Sequence, residues 1–165
     1  MEVELNIIDA QTATNCGQVK LLSFGGKYDV CFVALNSNAT CSNTISGYSR
    51  PLMTSNYEID HPIVGKVIYH FGYASGQQSG TIVSSNYSFY DDKTYFISFT
   101  NMGKSTCIVS SGDSGGLVAS SAPDGYHMVQ EGIIAGNVLN RQDEPIASYY
   151  CTAANIVNLW YLSAY

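Results

Sequence analysis

Charge is scarce in this chain. Only 12% of its 165 residues are Asp, Glu, Lys or Arg, and seven basic against thirteen acidic residues leave a net charge of −6. No basic stripe interleaved with aromatics occurs, which removes the electrostatic footprint of a nucleic-acid partner. No apolar run approaches the roughly 20 residues that a membrane-spanning helix requires, and Glu2, Glu4 and Asp9 stand where a secretory leader would be basic and then apolar, so neither a span nor a leader is expected within this numbering. The five cysteines, Cys16, Cys31, Cys41, Cys107 and Cys151, include no C-x-x-C pair, so zinc ribbons and thioredoxin-like chemistry lack their ligands. Histidine is equally sparse: His61, His70 and His127 are the only three, and none precedes residue 61.

What is abundant is an uncharged, packable composition, 45% apolar with 15 Gly and 13 Tyr, which excludes disorder and suits one domain with a single core. Sequons at Asn38-Ala39-Thr40 and Asn86-Tyr87-Ser88, together with a hydroxyl-rich, Lys-poor surface, point to a secreted protein whose cysteines form disulfides. An odd cysteine count then leaves one thiol over.

Short runs rich in Val, Ile, Tyr and Phe, broken by Gly, Asn and Ser clusters, predict strands over 17–24, 29–35, 64–71, 79–84, 93–99, 114–119, 126–135 and 146–151. Helical periodicity appears only at the end, where Ala153, Ile156, Val157, Trp160 and Tyr161 fall three and four residues apart with Thr152 as N-cap. The stretch 36–62, rich in Asn, Ser and Thr and carrying Pro51 and Pro62, reads as a long connection. The carboxylates Asp91-Asp92 and Asp143-Glu144 sit in loop-like contexts and read as solvated surface; no metal or cofactor site is expected.

The strongest signal is Gly112-Asp113-Ser114-Gly115-Gly116, followed at once by the apolar Leu117-Val118-Ala119. A nucleophilic serine needs its hydroxyl on a tight turn with backbone N–H groups aimed where an oxyanion will form. Glycines permit that backbone; Gly112 and Ser114 would supply the N–H donors, and Gly115 and Gly116 would leave room for a substrate chain. The motif resembles the nucleophile segment of the chymotrypsin-like serine proteases. Ser75-Gly76-Gln77-Gln78-Ser79-Gly80-Thr81-Ile82 and Glu131-Gly132-Ile133-Ile134-Ala135-Gly136-Asn137 are similar to second-barrel segments of the α-lytic-protease and streptogrisin-like branch, whose chain also ends in a helix.

The resemblance implies an all-β, double-barrel fold: the remainder of a first barrel and a linker over 1–60, a complete second barrel over 61–152 and a C-terminal helix over 153–165. Asp29, heading the apolar run Val30-Cys31-Phe32-Val33 and lying 85 residues before Ser114, takes the position of the triad aspartate. The family's histidine precedes that aspartate, and residues 1–28 hold none. A subtilisin-like order using His61 or His70, or a hydrolase elbow using His127, would need helix-rich folds that the strand rhythm and Pro123 oppose. His70 then reads as a satisfied strand histidine, its ring nitrogens paired, and His61 as part of the linker. The general base is therefore expected upstream of residue 1, in strands lost from this chain, unless it never existed.

By the same resemblance Cys107 and Cys151 would form a disulfide bracing the specificity pocket, Ala135 would belong to the edge to which a polypeptide substrate adds a strand, and Gly136 and Asn137 would line the pocket mouth. Ala135 stands where the family usually carries serine, which would remove one hydrogen bond near the triad. Ile108-Val109-Ser110-Ser111 holds no carboxylate for a Lys or Arg side chain, so an apolar or small substrate residue is expected. The resulting expectation is a secreted, monomeric serine endopeptidase without cofactor, acting on polypeptides and open to a protein inhibitor or pro-segment. The rival is a catalytically inactive pseudoprotease that binds through the same cleft. A fragment with open strand edges is a third reading.

Overall fold

The computed structural model of the chain describes residues 6–8, 15–40, 42–53, 62–92 and 96–160. Cys41, His61 and Tyr161 lie outside them. Three strands, β1 (Asn6–Ile8), β2 (Asn15–Gly25) and β3 (Tyr28–Leu35), form an antiparallel sheet in that order. Six more, β4 (Val67–Gly72), β5 (Gly76–Asp91), β6 (Ile97–Ser105), β7 (Leu117–Ser121), β8 (Met128–Leu139) and β9 (Pro145–Thr152), close into a barrel of order β4-β5-β6-β9-β8-β7, with β7 pairing back onto β4. One helix, α1 (Ala153–Trp160), follows β9. The Thr152 hydroxyl accepts the Asn155 N–H at 3.2 Å and caps that helix as its position predicts.

The expected strands are present with shifted ends. The serine motif itself is not part of β7, because Gly112 and Gly115 adopt positive φ (101° and 86°) and the ladder begins only at Leu117. Strand β5 runs well past residue 84 as a bulged partner of β6. The short β1 carries no signal in its three residues.

Alternation along the strands sorts side chains into two cores. Ile68, Ile82, Val109, Val118, Ile134 and Tyr150 fill the barrel interior. Val30, Phe99, Met102, Cys151 and Ile156 form a second cluster where the sheet and the helix meet the outside of the barrel. Gly26 docks the β2–β3 turn on β6 by donating to Ser98 O (2.8 Å) and accepting from Thr100 N (2.6 Å). The described parts of the connection, 36–40 and 42–53, hold no strand. Arg50 pins this connection to the β7–β8 hairpin by donating to Tyr126 O, His127 O and the Ser121 hydroxyl.

The expected Cys107–Cys151 disulfide is not formed; both residues are buried, separate thiols. The reason is the pleat. Tyr150 points into the barrel, and Cys107 is buried beside Gly80 of β5 and Ser105 of β6, its N–H donating to the Ser105 hydroxyl. Cys151, one residue on, points outward into the second cluster and donates to Lys27 O at 3.3 Å. Burial raises both thiols, Cys151 to about 11, so neither is a ready thiolate.

Candidate active site

Ser114 sits in the turn between the irregular segment 107–112 and β7. Asp113 N donates to Ser110 O, Gly116 N to Asp113 O and Gly115 N to Ile134 O, so the loop is tied both to itself and to β8. A bulge between Ile134 and Gly136 takes Ala135 out of the β8–β9 register, and the Ser114 hydroxyl, exposed, donates to the Ala135 carbonyl at 3.2 Å. Among the described residues, neither the Gly112 nor the Ser114 backbone N–H has an internal acceptor. Those two donors on a glycine-shaped turn are what an oxyanion site requires.

Asp113 fixes this turn. Its side chain is 1% exposed and accepts four hydrogen bonds, two per oxygen. Ala74 N (2.8 Å) and Ser75 N (2.9 Å) donate to Oδ1, while the Ser75 hydroxyl (2.5 Å) and Ser110 N (2.7 Å) donate to Oδ2. Burial alone would push the carboxyl up, but the Ser75 hydroxyl and the backbone donors outweigh it and hold Asp113 below the ordinary carboxylate value. Gly72 leaves the space the carboxylate occupies: a Cβ there would lie 2.3 Å from Asp113 Cγ. Ser75 and its turn carry no sequence signal for this task, since the contact spans 38 residues.

Asp29 lies on β3, half-buried, with its carboxyl raised by burial. It approaches Cys151, where its charge adds to the effect of burial on the thiol. Cys151 pairs with Ile133, two residues before Ala135, so Asp29 and Ser114 approach the same part of the β8–β9 ladder from different elements. They are not joined. His70 is buried inside the barrel, its Nε2 3.3 Å from the Ser105 hydroxyl, which lies 2.8 Å from Ser148 Oγ. Burial lowers His70 to about 4, opposed by the charge of Asp113. The strand placement expected for His70 holds, but its Nδ1 and the Tyr150 hydroxyl have no hydrogen-bond partner. His127 pairs with Asp124 at 2.6 Å on the β7–β8 hairpin, at the end of β8 remote from Ala135. Neither described imidazole serves Ser114.

Gly136 and Asn137 continue β8 beyond Ala135, where the expected strand ended. Asn137 does more than line a surface: its side chain bonds the backbone of Val109 across the gap, with Val109 N donating to Oδ1 (3.0 Å) and Nδ2 donating to Val109 O (2.6 Å). Beyond it, Tyr87, Phe89 and Tyr149 floor a cleft of about 400 Å³ that Asp91, Asp92 and Asp143 also line, so these carboxylates border a concavity rather than a plain surface. Among the described residues no group of three His, Cys, Asp or Glu side chains is placed to hold a metal ion, and no helix is long and apolar enough to cross a membrane.

This arrangement, a closed six-stranded barrel presenting a Gly-Asp-Ser-Gly-Gly turn beside the bulge of β8, decides the architecture. The fold is that of the chymotrypsin-like serine proteases. A glutamic-acid-specific serine protease described as using a histidine triad in substrate binding superimposes with a TM-score of 0.76 at 19% identity, over 97% of this chain and 79% of its own. A chymotrypsin from Cellulomonas bogoriensis gives 0.70 at 19% identity, covering 90% and 75%. The α-lytic protease homolog N4 gives 0.66 at 15% identity, covering 94% and 76%. No protein-family model matches the sequence, and no curated protein sequence matches it either. At these identities the chymotrypsin-like likeness is one of architecture, and residue roles rest on the geometry above.

Proposed function

We propose that the chain is the substrate-binding and nucleophile-bearing part of a secreted serine endopeptidase, acting as a monomer on polypeptides. The observation that carries this reading is Ser114 on a turn whose Gly112 and Ser114 N–H groups are unspent and whose shape is locked by the buried Asp113. In the reaction, Ser114 Oγ adds to a peptide carbonyl carbon while its proton passes to an imidazole. The two N–H groups hold the resulting oxyanion, and collapse expels the amine and leaves an acyl-enzyme that water hydrolyses. Asp29, already desolvated, would orient that imidazole and stabilise its protonated form.

The imidazole would come from strands, outside residues 1–165, that add to the β1–β3 sheet. Two features support this: among the described residues β3 pairs with no strand but β2, and the solved proteins above are longer, this chain spanning 75–79% of them. The absence of a carboxylate in 108–111 supports an apolar or small side chain at the cleaved bond.

A second reading, a binding module without turnover, is favoured by one observation: the Ser114 hydroxyl is committed to the Ala135 carbonyl, with no described base in reach. Labelling with a serine-reactive fluorophosphonate separates the two. A version extended by upstream coding sequence should label at Ser114 and not as Ser114→Ala. If the extended version folds and stays unlabelled, the endopeptidase reading falls and the binding module stands.

A further inference from the structure

Two asparagines stand in the pattern Asn-x-Ser/Thr with no proline between, Asn38 before Ala39-Thr40 and Asn86 before Tyr87-Ser88. The fold separates them. Asn38 follows β3 in a reverse turn closed by Ala39 N, which donates to Asn36 O at 3.0 Å and makes Asn38 the third of the four turn residues. The turn is fixed from its first residue: Asn36 N donates to Cys16 O at 2.9 Å, and Asn36 Nδ2 donates to the Asn15 carbonyl and carboxamide oxygens at 3.1 and 3.2 Å. Asn38 and Thr40 are both exposed. Asn86 is exposed too, but it lies inside β5 on a stretch that pairs with β6, and its neighbour Tyr87 is stacked on Phe89 with Lys104 Nζ 4.8 Å from the centre of its ring.

Asn15, Asn36, Asn43, Asn137, Asn140 and Asn155 each engage their carboxamide in a hydrogen bond that holds a turn, a strand or the helix. Asn38 does not: among the described residues its carboxamide has no partner. An acceptor of this pattern needs the hydroxyl of its third residue folded back towards the amide, which a bend allows and an extended strand opposes, because residues i and i+2 of a strand stand roughly 7 Å apart. We propose that Asn38 is a modification site that carries an N-linked oligosaccharide. The proposal rests on the reading of this chain as secreted, since the secretory route is where the chain meets the donor, an oligosaccharide carried on a lipid diphosphate. In the transfer, Asn38 Nδ2 bonds to the anomeric carbon of the sugar while the bond from that carbon to the diphosphate oxygen breaks. The lipid diphosphate leaves with the electron pair, and one amide proton goes to water. The anchors of the turn belong to β2 and β3 and none contributes to the serine turn, so the sugar changes the surface and not the geometry at Ser114.

The test needs no turnover. The native protein is isolated from the organism that encodes it, with extracellular and cellular fractions kept apart, and part of each is treated with peptide-N-glycosidase in H₂¹⁸O. Trypsin, cutting after Lys27 and Arg50, frees the peptide 28–50, in which Asn38-Ala39-Thr40 is the only Asn-x-Ser/Thr pattern. In the extracellular fraction this peptide should be missing at its bare mass before treatment and should appear afterwards with Asn38 converted to ¹⁸O-labelled Asp. Asn38→Gln and Thr40→Ala, expressed in the same organism, should each migrate faster by one oligosaccharide, the second while keeping the asparagine. Bare peptide with unmodified Asn38 in the extracellular fraction, or a Thr40→Ala variant that migrates as the native protein does, overturns the modification and leaves secretion standing. Recovery of the protein from the cellular fraction alone overturns the secreted reading and the proposal with it.

Discussion

The two sheets of this protein are built from similar residues and end in opposite conditions. The barrel closes on itself, and its inward residues Ile68, Val118 and Tyr150 are wholly buried. The β1–β3 sheet stays open, and its hairpin exposes apolar side chains on both faces: Leu21 opposite Phe32 on one, Leu22 opposite Cys31 on the other. Among the described residues, the turn end of this hairpin is tied to the barrel through Val30, the Gly26 backbone, Lys27 O and the Phe24–Phe99 ring contact. Propensity made strands in both places; closure, a property of six paired strands, made a core in only one.

The sharpest way to break this contrast is to remove volume on each side of it. Ile68→Ala inside the barrel should cost about 4 kcal/mol in urea unfolding, the usual scale for a buried cavity without room to collapse. Acid should act next. His70 has its folded pKa lowered from 6.5 to about 4, so the unfolded chain binds the proton more readily. The buried neutral imidazole costs nothing above pH 6.5, and stability is lost as pH falls below that value, the loss reaching about 3 kcal/mol at pH 4. Thermal unfolding of the native chain at pH 7 and 4.5, against His70→Gln, should show this slope only in the native protein. Asp113 adds loss only below its ordinary value of 3.8, because its folded pKa is depressed.

At the seam between barrel and site, Asp113→Asn replaces one of two acceptor oxygens by a donor facing Ser75 and Ser110 or Ala74. About 2 to 3 kcal/mol should be lost, with Gly112 and Ser114 amide exchange accelerating. Tyr150→Phe removes a buried hydroxyl that has no partner and should raise stability by about 1 kcal/mol, read from the same urea curves. On the open sheet, Leu22→Ser, at a side chain 68% exposed, should change unfolding by less than about 0.5 kcal/mol while reducing self-association in light scattering. A large loss there would mean that the face is covered in the isolated chain and that the contrast is misdrawn.

What the sequence made legible follows from distance along the chain. Strands β2 to β9 show as local runs of β-branched and aromatic residues, and the Thr152 cap lies three residues from the amide it serves. The Gly112–Gly116 turn is local too, and glycine alone announces its positive φ. The long-range features were silent. Ser75 reaches Asp113 over 38 residues and Asn137 reaches Val109 over 28, and no periodicity encodes such meetings. The Cys107–Cys151 bridge shows the converse error, since a pairing borrowed from a resemblance cannot override a pleat that sends neighbouring residues of β9 to opposite sides.

The four donors on Asp113 have a consequence for maturation. Each oxygen already holds two hydrogen bonds, from Ala74 and Ser75 in the β4–β5 turn and from Ser110 in the segment before the serine, and no place remains for an amine released by cutting the chain elsewhere. The serine turn is therefore shaped by the meeting of the β4–β5 turn with the segment before Ser114, a contact this chain makes from its own residues.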